Sequence, residues 1–175
     1  MHEVINDEIF LQSNKNIDYI KSVLKDNSDV VYRNFYVGKY SCAIVYIDGM
    51  GDKLLLDAYV LKPVMLRGGN SDIKNIKDEL LTVSDIKALK SMKDGVKAIL
   101  SGDTLMFLEG LDEAFVIATR LWPARGVSEP SGETVLRGGR DGFTETIRFN
   151  TALIRRRIRD TRLRVVSKSL GTRSK

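Results

Sequence analysis

A chain of 175 residues with 43% hydrophobic residues can bury one sizeable core, so disorder throughout is excluded and one domain, or one and a fraction, is expected. The formal charge of +5 is unevenly placed: residues 155–175 hold nine Lys/Arg and one acid, which leaves the rest of the chain net acidic. A single cysteine excludes an internal disulfide, no window approaches the roughly 18 apolar residues of a membrane helix, and the acidic start MHEVINDEIF lacks a signal peptide's bases, so a soluble chain in a reducing cytoplasm is expected.

In chain order, Ile17, Ile20, Val23 and Leu24 recur at helical spacing, with Asn14 or Asn16 as candidate caps. Val30–Val37 and Tyr40–Ile47 are rich in β-branched and aromatic residues. The second of them, which holds Cys42, is apolar on both faces, as strands in the middle of a covered sheet are. After a turn at Asp48-Gly49-Met50-Gly51, Leu54, Leu55, Ala58 and Leu61 predict a helix that Pro63 stops, followed by a loop at Gly68-Gly69-Asn70-Ser71. Ser84-Asp85 then predicts the cap of a helix with Ile86, Leu89, Met92, Val96 and Ile99 on one face, ended at Ser101-Gly102. Thr104–Leu108 and residues 114–121 predict two strands of an antiparallel hairpin joined through Glu109-Gly110-Leu111-Asp112.

This alternation predicts an α/β fold in which a mixed sheet covered by helices occupies residues 14–123. Residues 124–142 shift to Gly, Pro, Ser and charge and predict a connecting loop. Residues 143–175 predict the start of a second, truncated α/β subdomain: a helix, then a strand at 163–169, without further partners in sequence to cover them. On the helix, Phe143, Ile147, Ile154 and Ile158 share one face, and Arg148, Arg155, Arg159 and Arg162 another.

Chemistry has few carriers. The only histidine, His2, sits where a chain frays, which removes histidine triads; one Cys and one His make no zinc site, and DGMGD reads as a plain turn rather than a calcium loop. The glycines before the last helix could offer an anion its N–H groups, but Asp141 opposes a phosphate and neither GxGxxG nor GxxxxGK[ST] is present. The simpler reading has Asp141 or Thr144 capping that helix and Glu145 complementing its dipole. Asn150, toward the apolar face, is expected to tie the preceding loop to the helix. The arginines have three readings: a solvated face, a surface for nucleic acid or anionic lipid, or bidentate partners for carboxylates of an adjoining unit. Six of the seven basic positions between 155 and 168 are arginine, whose planar fork suits fixed pairing, so an intramolecular or intersubunit interface is preferred.

Glu129-Pro130, Glu133, Arg137-Gly138, Arg140-Asp141-Gly142-Phe143, Asn150 and Leu153-Ile154-Arg155-Arg156-Arg157 together resemble the signature of the A subunit of GerA-type spore germination proteins. From Tyr40 onward YSCAIVYIDGM and SGDTLMFLEG resemble it as well. One departure is Gly139, where the family usually has proline, which loosens that loop. The resemblance implies an N-terminal region of two α/β subdomains on the cytoplasmic side of the spore inner membrane. The transmembrane segments that would follow it are absent from this chain. It further implies work with B and C subunits of a nutrient receptor, homo-oligomers through the full-length chain, and signalling rather than enzymatic activity, with no cofactor and no nucleic acid. Its signature or interface candidates are Glu129, Pro130, Glu133, Arg137, Gly138, Arg140, Gly142, Phe143, Asn150, Arg155 and Arg157. The alternatives are a small-ligand module using a crevice between subdomains, and a basic protein binding nucleic acid or phosphate.

Overall fold

The computed structural model describes residues 6–68, 72–121 and 143–171. Five strands, β1 (Val30–Val37), β2 (Tyr40–Ile47), β3 (Ile86–Leu89), β4 (Thr104–Leu108) and β5 (Ala114–Ile117), form one sheet in the order β1-β2-β4-β5-β3. Every pairing is antiparallel, which corrects the expectation of a mixed sheet. Parallel pairs arise when a helical crossover joins sheet neighbours. Here the strands linked through helices, β2 with β3 and β3 with β4, are not neighbours, whereas the hairpin-linked β1/β2 and β4/β5 are. Gly38, at φ 57°, makes the first hairpin turn, in a conformation that a side chain resists.

The strands between the edges are apolar on both faces and separate two cores by simple alternation. Ala43, Val45, Ile47, Leu105 and Phe107 point to one side, where helices α1 (Ser13–Val23) and α5 (Met92–Leu100) cover them with Ile17, Ile20, Val96 and Ile99. Cys42, Ile44, Met106, Leu108 and Phe115 point to the other, against Leu56, Val60, Val64 and Ile76. Each such fully buried side chain contributes roughly 1.5–3 kcal/mol of transfer free energy, and burial on both sides makes β2 the interior strand its composition predicts. β1, by contrast, is an edge strand.

On the second face, α2 (Lys53–Leu55), a π segment (Leu56–Leu61) and α3 (Lys62–Arg67) run on without a break, capped at the start by the Asp52 carboxylate, which accepts from Leu55 N at 3.0 Å. Pro63 therefore does not stop this helix. The Lys62 N–H already reaches back five residues to Asp57 O, so proline enters where the usual ladder has been displaced and its missing donor costs least. A 3-10 turn (Ile73–Asn75) and α4 (Ile76–Glu79) complete that layer.

A third correction falls on residues 86–99. The predicted single helix is a strand, β3, followed by α5, and the cap is Ser91, whose hydroxyl accepts from Asp94 N at 3.1 Å, rather than Ser84 or Asp85.

Beyond residue 142, α6 (Ile147–Arg157) packs on the α1/α5 side, where Ala152 is buried in the first core. Phe143 precedes this helix and Ile158 ends it. Its N-cap is Thr146, so Thr144 does not cap it, and Asp141 lies outside the described residues. Residues 163–169 form no strand. Val165 is instead held beside the entry to β1, where Ser28 N donates to Val165 O at 2.7 Å and Ser167 N donates to Ser28 Oγ at 2.8 Å.

Candidate functional site

The most heavily bonded polar cluster joins α6 to the turn before β1. Arg155, on the α6 face turned toward the sheet, is 0% exposed. Its Nε and Nη2 donate to the two carboxylate oxygens of Asp29, each at 2.9 Å, the planar fork-to-fork geometry that arginine alone supplies. Nη2 also donates to Asn27 Oδ1 at 2.6 Å, and Nη1 to Leu163 O at 3.3 Å. Asn27 completes the cluster by accepting from Val165 N at 2.8 Å and donating to Leu24 O at 3.1 Å. One guanidinium therefore fixes three separate stretches of chain: the end of α1, the start of β1 and the segment after α6.

A second contact lies at the other end of α6. Arg148 Nε stands 3.0 Å from Asp48 Oδ2, and Lys53 Nζ stands 2.6 Å from Oδ1 of the same carboxylate. Asp48 follows β2 directly, and Gly49, at φ 86°, turns the chain there. A Cβ on Gly49 would lie 2.7 Å from Arg148 Cγ, so the turn and the arginine stem share one space. Between the two ion pairs runs an open groove of about 510 Å³, lined among others by Asp29, Asp48, Arg148, Thr151 and Lys168.

Asn150 ties the chain before α6 to the helix by a closed pair of bonds: its Oδ1 accepts from Thr144 N and its Nδ2 donates to Thr144 O, both at 2.7 Å. The same device opens α1, where Asn16 Oδ1 accepts from Phe10 N at 2.8 Å and Nδ2 donates to Phe10 O at 2.6 Å, again across six residues. In both helices an amide side chain one turn in thus ties down the chain two residues before the cap, and neither cap residue, Gln12 or Thr146, makes a side-chain capping bond. Just before residue 122, Arg120 donates to both oxygens of the buried Asp103, at 2.7 and 2.5 Å, and this bonding holds the guanidinium above its usual range.

Of the sequence-predicted candidates, Glu129, Pro130, Glu133, Arg137, Gly138, Arg140 and Gly142 lie outside the described residues. Phe143 is exposed, Asn150 bonds to Thr144, Arg155 is buried on Asp29, and Arg157 is exposed. The four arginines of the predicted stripe do not act together. Arg155 faces inward, Arg148 meets Asp48, Arg162 pairs with Asp160 at 2.7 Å, and Arg159 is exposed beyond the helix end. Sequence reasoning missed Asn27, Asp29 and Asp48, whose signal lies only in the Asp/Asn-rich turns flanking β1 and β2. Among the described residues no three His, Cys, Asp or Glu side chains gather as metal ligands, and no helix is long and apolar enough to cross a membrane.

Residues 18–175 match the family described as Bacillus/Clostridium GerA spore germination protein. The chain is 34% identical over 166 residues to stage V sporulation protein AF of Bacillus subtilis (strain 168), covering 92% of this chain and 34% of that protein. It is 28% identical over 164 residues to the membrane protein YfkQ of the same organism, covering 92% of this chain and 32% of that protein. The chain thus spans about a third of the length of these relatives. In fold it superposes on the crystal structure of the N-terminal domain of the A subunit of the Bacillus megaterium spore germinant receptor GerK3, with a TM-score of 0.73 at 23% identity, over 98% of this chain and 64% of that one. With its sequence matched over residues 18–175 and its all-antiparallel five-stranded sheet flanked by helices, the chain belongs to the GerA spore germination protein family.

Proposed function

We propose that this chain is part of the A subunit of a nutrient germinant receptor, and that it takes part in receptor assembly and in the transmission that triggers spore germination. The observation that carries the reading is the extent of the family match, residues 18–175, together with the fold of a germinant receptor domain. The assembled receptor includes B and C subunits and further copies of the full-length chain, and it is seated in the spore inner membrane with this region on the cytoplasmic side. One relative that matches most of this chain is itself named a membrane protein, which supports that placement.

In this reading the chain relays rather than reacts. Residues 14–123 form the first lobe, residues 124–142 the connection, and residues from 143 the beginning of a second lobe. The Arg155 cluster and the Arg148–Asp48 pair are the joint between them. A joint made of one buried bidentate pair has two well-separated arrangements, docked and undocked, because a half-broken pair strands a charge in a dry site. Such a two-state element is what a relay needs. The test is deletion of the full-length gene in its spore-forming host. Loss of the response to one class of nutrient, restored by the intact gene, is the expected result, and an unchanged response to every nutrient tried overturns the assignment.

A further inference from the structure

The residues that follow the buried Arg155 carry a basic stretch beyond the cluster. Arg155 Nη1 holds Leu163 O at 3.3 Å, and Leu163 N donates to Asp160 O at 3.2 Å, so the end of α6 (Arg156, Arg157) and the turn at 158–162 that follows it are held between the helix and Leu163. This segment, residues 156–162, carries Arg156, Arg157, Arg159 and Arg162 against the single acid Asp160, with which Arg162 pairs, and all four arginines are exposed. Ile158 sits in its middle, 47% exposed. Further along, the exposed Lys168 stands between Val166, 58% exposed, and Leu170, 83% exposed. Large apolar side chains set among cations are costly in water and serve no core.

We propose that the clamped segment 156–162, the end of α6 and the turn after it, extended by residues 166–170, docks on an anionic lipid bilayer. Charge complementarity selects the partner: arginines close to a negatively charged leaflet gain from its surface potential, and their forks bond phosphate oxygens. The interleaved Ile158, Val166 and Leu170 select a bilayer over a nucleic acid, since they have the acyl boundary to enter. A single-stranded nucleic acid would call instead for aromatic stacking platforms, and residues 156–171 include no aromatic residue. Clamping by Arg155 matters here because a pre-formed turn loses little conformational freedom on docking. The proposal rests on this surface alone and does not require the receptor reading.

The experiment is co-sedimentation of the 175-residue chain with vesicles of phosphatidylcholine alone and of phosphatidylcholine mixed with phosphatidylglycerol. Binding to the mixed vesicles only, weakened by added salt, is expected. The variant Arg156→Gln/Arg157→Gln/Arg159→Gln should bind the mixed vesicles more weakly by roughly fivefold per arginine removed. Ile158→Ser should leave the salt dependence in place and lower binding at every salt concentration. These side chains are exposed, and unchanged near-ultraviolet circular dichroism verifies the fold of each variant. Equal binding to both kinds of vesicle, no binding to either, undiminished binding by the triple variant, or tighter binding to a short DNA or RNA than to the mixed vesicles would each overturn the proposal.

Discussion

Arg155 Nε and Nη2 lie 2.9 Å from the two carboxylate oxygens of Asp29, 126 residues away in sequence, and the arginine side chain is wholly buried. Removing one partner leaves the other charged in a dry site, which costs about 3–5 kcal/mol, whereas removing both as uncharged groups of similar shape costs far less. Arg155→Met should therefore lower the unfolding free energy by about that amount, and Asp29→Asn/Arg155→Met should recover much of it. Urea unfolding of the three proteins tests the coupling; additive losses would show that the pair is not the unit it looks like.

Asn27 bonds the guanidinium and the Val165 amide through one oxygen, so Asn27→Ala leaves two donors short of an acceptor. A loss of about 1–3 kcal/mol is expected, with faster hydrogen exchange at the amides of Val165 and Ser167 and little change in the sheet. Exchange unchanged at those two amides would show that Asn27 does not hold the segment.

Tyr32 carries a buried hydroxyl without a hydrogen-bond partner among the described residues. Burial, followed by the nearby Asp29 charge, pushes its pKa from 10.0 up to about 12. The folded chain then holds the phenol proton more tightly than the unfolded one. This contribution to stability is complete below pH 10 and is lost as the pH rises from about 10 toward 12. Tyr32→Phe should be neutral or stabilising at pH 7 and should flatten the alkaline loss, which denaturant titrations at pH 8 to 11 would reveal.

Gly68, at φ −72°, is not needed for its backbone freedom. A Cβ there would fall 2.2 Å from Val37 Cγ1, in the second core. Gly68→Ala should cost about 1–3 kcal/mol by overpacking, and Val37→Ala in the same chain should cost less than it does alone. A thermal melt of the single and double variants measures this; a neutral Gly68→Ala would mean that the α3 end gives way freely.

The strands were legible because their side-chain period is local. Tyr40–Ile47 is apolar on both alternations except at Ser41, and burial on both faces follows directly. The helix read into residues 86–99 failed for a physical reason. Ile86, Leu89, Met92, Val96 and Ile99 keep helical spacing across a boundary, so periodicity alone ran through the Ser91 cap, which polar spacing marks only weakly. Arg155 was half legible: its planar fork predicted fixed pairing with a carboxylate, while neither the partner nor its inward direction could be read. On a helical wheel it belongs with the other arginines, and only a carboxylate arriving from the far end of the chain turns it inward. Asp29 has no local feature that announces that role. The asparagines at 16 and 150 were half legible: their place near a helix start could be read, while their bonds to a residue six positions upstream depend on how the preceding segment folds back.

We propose that α6, held by Arg155 on Asp29, is the joint through which a germination signal passes. Arg155→Lys keeps the charge and removes the planar fork, so it weakens the joint without stranding a carboxylate. Spores carrying this substitution in the full-length gene should contain the protein in their membranes at the normal level and respond to nutrient at least tenfold more slowly. A normal rate of nutrient response at normal abundance would show that α6 is not that joint.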